Sequence, residues 1–521
     1  MTSDASVQHT SGVNHEGRRW RRIALACVLA VLIVIAGGVP GTLWALGGGV
    51  PNVAVDYAAM VDAPALAVPE PDRAWPQYLE IIEEVGDPGR LDFSDAFVDA
   101  ERGQLPLEQL RVSVATRRDL IERIRRAALM PGLGYISSVE NENAVGAALG
   151  EAIESEAPPD GVPRCLLEIR SPHLAPLQGM ATALRADLRV AAAGNDGDRV
   201  LTNFRGLLGI AAHANEQGFL ICQLVASRIR TNAMNDLGWV LRYAPDSLSD
   251  KQLADCEGLI ASLDGGEPFA FSYEVERMWH LDTIQRVYTD DGAGNGRICL
   301  PGPDLVRGAL EPGSQPGSAP GTGDRIRAGY FRLFSLNRRE ITAACDHLWD
   351  LAEHRVERPR RPWTGGPMNE HLAEAETFDL DGASHDLGMR LLALLMPALG
   401  KSFTEVDKVN GLQDATRIAI AAERFQRAEG RWPKNASELV PRYLDTALLD
   451  PFSNQPLIVR PEDGGVTVYS VGVDRDDDGG RHARFASRWR PATEAGEIAA
   501  GSRSEGDWVL FPNPEGARSR D

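Results

Sequence analysis

The sequence predicts a mainly α-helical protein with one N-terminal transmembrane helix, an α-helical hairpin domain and a small C-terminal α+β module. Three patterns lead there. Residues 23–55 form 33 consecutive positions without a charge. Apolar residues then recur at three- and four-residue steps through much of residues 76–290, the periodicity of a helix with one buried face. After Gly430 the texture changes to short β-rich runs separated by turn residues.

Crossing a ~30 Å hydrocarbon core as a helix takes roughly 20 residues, and Ile23 to about Leu46 meets that length. Arg18, Arg19, Arg21 and Arg22 precede it, so residues 1–22 carry +2 and the remainder −22 of the total −20. That asymmetry keeps the tail in the cytoplasm and sends the body across, which predicts a single-pass inner-membrane protein with its body in the periplasm. A cleaved signal peptide would have a shorter apolar region of about 7–15 residues. A lipoprotein cysteine would follow the run, whereas Cys27 stands near its start.

Residues 47–75 are rich in Pro, Gly, Ala and Val and read as an extended stalk. In the all-α domain (76–290), Leu110–Leu129 carries Arg117, Arg118, Arg123, Arg125 and Arg126 mostly opposite its apolar side. Amphipathic segments follow at Leu174–Ala193, Asp198–Ala214 and Gly218–Tyr243, and Ser249 with Gln252 supplies a capping box for Asp250–Leu263. Short breaks such as 193–197 favour antiparallel neighbours. Residues 291–325 read as a Gly/Pro-rich loop and 326–403 as a further helical segment. Residues 404–514 form the α+β module, with strands at Pro456–Arg460 and Val466–Val473 around a Glu462–Gly465 turn, and 515–521 a tail.

The C-terminal segment carries a helix at Ala415–Ala428, then Gly430-Arg-Trp-Pro433 and Glu438-Leu-Val-Pro-Arg-Tyr-Leu444. Leu449-Asp-Pro-Phe452 and Val468-Tyr-Ser-Val-Gly-Val-Asp474 follow, ahead of a run of acids. This order resembles the periplasmic head of the major pseudopilins of type II secretion systems, over about Leu412–Gly480. The resemblance implies a calcium ion bound in the loop after the strand. The departure is at the other end: the span follows Arg-Arg-Trp-Arg-Arg, lacks the glutamate behind a prepilin cleavage point, and lies far from the head. A filament subunit is therefore not expected. The layout as a whole is similar to that of uncharacterised planctomycete-type envelope proteins.

From the residues alone, Asp474, Asp476 and Asp478 in Asp474-Arg-Asp-Asp-Asp-Gly-Gly480 are candidate metal ligands. Alternate carboxylates in a tight loop converge on one point and suit the hard-oxygen shell of Ca²⁺. The twelfth position is Phe485, which excludes an EF-hand, so further ligands must come from carbonyls or from a distant acid such as Asp507. Asp290 and Asp291, in Thr289–Gly296, form a weaker second candidate. Glu276 with His280 and Asp282, His347 with Asp350 and His354, and His213 with Glu216 have helix spacing for zinc but read better as solvated or hydrogen-bonded faces.

Outside the span, Cys165, Cys222, Cys256, Cys299 and Cys345 are widely spaced without CxxC, which argues against zinc ribbons and redox centres. Cys222 reads as a small buried hydrophobe, and an oxidising compartment would allow one or two disulfides. No GxSxG, P-loop or dinucleotide fingerprint is present. The strong negative charge works against phosphate backbones, so no nucleic-acid partner is expected. A membrane-anchored, non-catalytic binding scaffold with envelope-protein partners is the leading expectation. The alternatives are an extracytoplasmic hydrolase-like enzyme assembled from separate helices, and a pseudopilin-like secretion component.

Overall fold

The computed structural model describes residues 51–86, 107–151, 155, 157–159, 161–299, 335–356, 389, 397–450, 453–462, 464–472, 476–481 and 507–512. The expected span 23–46 and most of the 291–325 loop lie outside them. Among the described residues no helix is long and apolar enough to cross a membrane. They are mainly helical, with twelve α-helices and one three-stranded antiparallel sheet.

The chain divides into two compact units, one of residues 1–54, 283–342 and 381–391, the other of 55–282, 343–380 and 392–521. The larger unit begins with α1 (Tyr57–Ala67) and α2 (Trp75–Val85). The stretch read as an extended stalk thus contains a capped helix: the Asp56 side chain accepts from Ala59 N at 3.0 Å. The expected Leu110–Leu129 helix is two helices, α3 (Leu107–Thr116) and α4 (Arg118–Ala128), broken at Arg117. After α5 (Val139–Leu149), three long helices dominate: α6 (Leu174–Ala193), α7 (Gly197–Asn215) and α8 (Leu220–Tyr243). They match the three amphipathic segments to within two residues at either end and pack on one another in sequence.

Two buried aspartates tie this layer together. Asp187 on α6 accepts from Arg125 Nη2 at 2.6 Å, Arg199 Nε at 2.9 Å and Asn203 Nδ2 at 2.7 Å. Asp236 on α8 accepts from Arg185 Nε at 2.5 Å and Arg189 Nε at 2.8 Å. Arg125, expected among outward arginines, is therefore turned inward by a buried partner. Gly209 marks a near-contact crossing, because a Cβ there would lie 1.9 Å from the Ala128 carbonyl oxygen.

The capping box at Ser249 is formed as expected and opens α9 (Asp250–Ala261). Then come α10 (Glu274–Val287), α11 (Arg338–Val356) and α12 (Pro397–Glu429). The sheet is β1 (Ile458–Glu462), β2 (Gly465–Ser470) and β3 (Trp508–Phe511), in that order. Glu462 pairs with Gly465 across the turn, and Gly464 takes φ 83° there. Asp450 is buried and locks the preceding corner onto β2, accepting from Ser470 Oγ and Val471 N, both at 2.9 Å.

The C-terminal segment does not stand apart as a compact unit. Helix α12 packs against α8 and α9 and also against β2 and β3. One continuous core accordingly runs from Ala58 to Phe511 within the larger unit. Gly238 on α8 shows how close this is, since a Cβ there would meet the Phe511 ring at 3.2 Å.

Candidate functional site

The acidic loop hangs between β2 and β3. Asp474 lies outside the described residues, Asp476 is exposed and Asp478 is half-buried. Asp477 and Asp507 bond to the frame around the loop. Asp477 Oδ1 accepts from the Tyr469 hydroxyl at 3.0 Å and from Gly479 N at 2.9 Å. Asp507, just before β3, is fully buried, and its Oδ2 accepts from Gly480 N at 2.6 Å. Its other oxygen, Oδ1, has no hydrogen-bond partner among the described residues. Burial raises the Asp507 pKa, and the nearby carboxylates of Asp477 and Asp478 push the same way. Burial likewise lifts the Tyr469 hydroxyl to about 12, helped by its bond to Asp477. Arg460 donates to the Gly479 carbonyl and holds the loop from the β1 side. Among the described residues no three His, Cys, Asp or Glu side chains converge as a metal site.

The second acidic candidate is closed by arginine. In the smaller unit, Tyr288 bridges to Ile298 and folds the start of the Gly-rich insert into a tight return. Asp290 pairs with Arg338 Nη1 at 3.0 Å. Asp291 Oδ1 accepts from Ala293 N and Asn295 N, both at 2.9 Å, and the first of these bonds does most to lower its pKa. These carboxylates are committed to a cation and to backbone already present in the chain.

Several members of the helix-spaced sets are buried and hydrogen-bonded rather than solvated. Glu276 accepts from Leu220 N at 2.7 Å at the start of α8, and Asp282 from Leu166 N at 2.8 Å. His280 is buried, its Nδ1 3.2 Å from Trp349 Nε1 and 3.1 Å from the Glu276 carbonyl oxygen. On α11, His347 is exposed, Asp350 lies 3.9 Å from Arg277, and the His354 side chain is outside the described set. His213 is held by Tyr78 OH at 3.0 Å on Nδ1 and by the Met130 carbonyl at 2.9 Å on Nε2. A carbonyl only accepts, so Nε2 carries the proton and Nδ1 receives the tyrosine hydrogen. Burial pushes the His213 pKa down to about 4.

A third group escapes sequence reading altogether. The segment 131–138 is stapled by side chains from distant places. Glu216 accepts from Leu133 N and Gly134 N at 2.7 Å each, Asp62 accepts from Ser137 N at 3.0 Å, and Arg164 Nη1 donates to Ser137 O at 2.6 Å. Glu142, fully buried, accepts from Arg164 Nη2 at 2.6 Å and Arg170 N at 3.1 Å. This frame sets Tyr135 edge-on to Trp75, centroids 4.6 Å apart, and against the His173 ring at 4.1 Å. The Trp75 Nε1, the Tyr135 hydroxyl and both His173 ring nitrogens are buried without hydrogen-bond partners among the described residues. Burial drives the His173 pKa down to about 3, so the imidazole is neutral near pH 7. No linear spacing links residues 75, 135 and 173.

Three of the cysteines are held as buried thiols. All five described cysteines are buried and none is in a disulfide. Burial lifts the Cys222, Cys256 and Cys345 thiols to about 12, far from the thiolate that reactivity requires. No family model matches the chain, and no curated protein or solved structure is detectably similar to it.

Proposed function

We propose that the protein is a single-pass inner-membrane protein whose periplasmic body is a non-catalytic binding scaffold for envelope proteins, closed by Ca²⁺ at its C-terminal end. Residues 23–46 anchor it, and the pseudopilin-like segment supplies the ion site. The observation that carries the ion assignment is Asp507: a fully buried carboxylate with one oxygen unpartnered among the described residues, facing a loop that also holds Asp477 and Asp478. A carboxylate left so costs free energy unless a cation or proton neutralises it. Asp474, Asp476 and Asp478, with loop carbonyls, complete an all-oxygen set of the kind Ca²⁺ takes.

The test is a thermal melt of the full chain in detergent. Ca²⁺ at a hundred times its Kd stabilises by about 2.7 kcal/mol through mass action, so Ca²⁺ raises the melting temperature and EDTA lowers it. The double variant Asp474→Ala plus Asp478→Ala removes the response. A wild-type melt indifferent to both reagents overturns the ion assignment. The enzyme reading is favoured by one observation, the unpartnered His173 nitrogens beside the Tyr135 hydroxyl. Both residues are fully buried, which places them out of a substrate's reach without local opening.

A further inference from the structure

Helix α1 has its polarity inverted. Ala58, Val61, Asp62 and Ala65 form its buried side, and Asp62, its one charged residue, points inward to the Ser137 amide. The outward residues are Ala59, Met60, Ala63, Pro64, Leu66 and Ala67, none of them polar. Met60 is 47% exposed and Leu66 53%, with Val55 at 41% just ahead of the helix. A surface helix of a globular body normally turns its charged face to water, and one that is apolar all round is covered all round. Here the body covers one side only. A contiguous outward apolar strip of this kind marks a contact surface.

The helix's place in the chain says what covers the other side. Its cap, Asp56, directly follows the uncharged run of residues 23–55. If residues 23–46 span the bilayer, the connector 47–55 reaches at most about 30 Å when fully extended. The strip is therefore tethered close to the outer face of the same membrane at every copy number. We propose that α1 lies on that face, with Met60 and Leu66 seated at the boundary between headgroups and acyl chains. The proposal rests on the anchored reading above. Asp56, Glu70 and Asp72 flank the helix. They oppose anionic headgroups, so apolar contact with zwitterionic lipid, not charge, holds it.

A second copy of the chain is the competing occupant, because Ala59, Ala63 and Ala67 at four-residue steps would let two helices approach closely. Spin-label accessibility separates the two. The full chain, with Cys27→Ala, is placed in phosphatidylcholine vesicles and labelled singly at Met60→Cys, Leu66→Cys or Glu70→Cys. Oxygen concentrates in lipid and a nickel chelate in water. The expected result is an oxygen-to-nickel accessibility ratio severalfold higher at 60 and 66 than at 70. Water-type accessibility at both 60 and 66, while the chain resists carbonate extraction, overturns the proposal and leaves the anchor intact. Carbonate release of the chain overturns the anchor and this proposal with it. Dipolar broadening at 60 and 66 that vanishes on dilution with unlabelled chain assigns the strip to a second copy instead of lipid.

Discussion

Two tyrosines in the helical layer are equally buried and differ in what their hydroxyls meet. Tyr78 donates to His213, while Tyr135 has no partner among the described residues. Removing the Tyr78 hydroxyl strands a buried acceptor, so Tyr78→Phe should destabilise by about 1–3 kcal/mol. Tyr135→Phe deletes an unpaired group and should leave the melting temperature unchanged or raise it. Equal losses in chemical denaturation would contradict that distinction. His173 makes a pH prediction. Its folded pKa, about 3, lies below the ordinary 6.5, so the unfolded chain takes up the proton first. Stability from this group is complete above about pH 6.5 and is lost as pH falls towards 3. Asp62, Glu216 and Glu276, raised by burial, act in the opposite direction as they protonate in the fold. The clean comparison is therefore between wild type and His173→Phe. Between pH 6 and pH 4 the variant's stability should fall less steeply, by up to about 1.4 kcal/mol per pH unit. Parallel curves would contradict the burial of a neutral imidazole.

At the scale of elements, glycines report how tightly helices cross. Gly209 on α7 faces the Ala128 carbonyl at the end of α4, whereas a Cβ at Gly258 on α9 meets nothing within 4 Å. Gly209→Ala forces α4 and α7 apart and should cost about 1–3 kcal/mol as overpacking does. Gly258→Ala should stabilise by about 0.5–1 kcal/mol through helix propensity. Urea titrations of the two variants check the pair, and a stabilising Gly209→Ala would refute the close crossing. Much at this scale was legible in the sequence. The 3.6-residue period located α6, α7 and α8, the Ser249/Gln252 spacing located the start of α9, and Glu462–Gly465 located the hairpin. Helix α1 was not legible, because apolar residues on both sides erase the period and Pro64 reads as a breaker. The break at Arg117 was hidden for the opposite reason: the apolar period runs through it.

At the scale of the whole molecule, α12 joins the C-terminal α+β segment to the hairpins in one core. Texture along the chain reveals a change of secondary structure but not a shared core, which depends on contacts between residues as distant as Gly238 and Phe511. The same limit governs the candidate sites. Asp507 could be suggested as a distant partner for the acidic loop because unmet oxygen ligands had to come from somewhere. Nothing comparable pointed to Trp75, Tyr135 and His173, whose juxtaposition is set by Asp62, Glu142 and Glu216 bonding to backbone far away in sequence.

The proposed anchor, Ca²⁺ site and lipid contact of α1 all require the body to lie on the periplasmic side of a membrane. Alkaline phosphatase joined after Asp521 tests this most directly, because that enzyme gains activity only where its disulfides form. A highly active fusion, with a cytosolic reporter at the same place inactive, is the predicted result. An inactive phosphatase fusion beside an active cytosolic reporter would contradict the account.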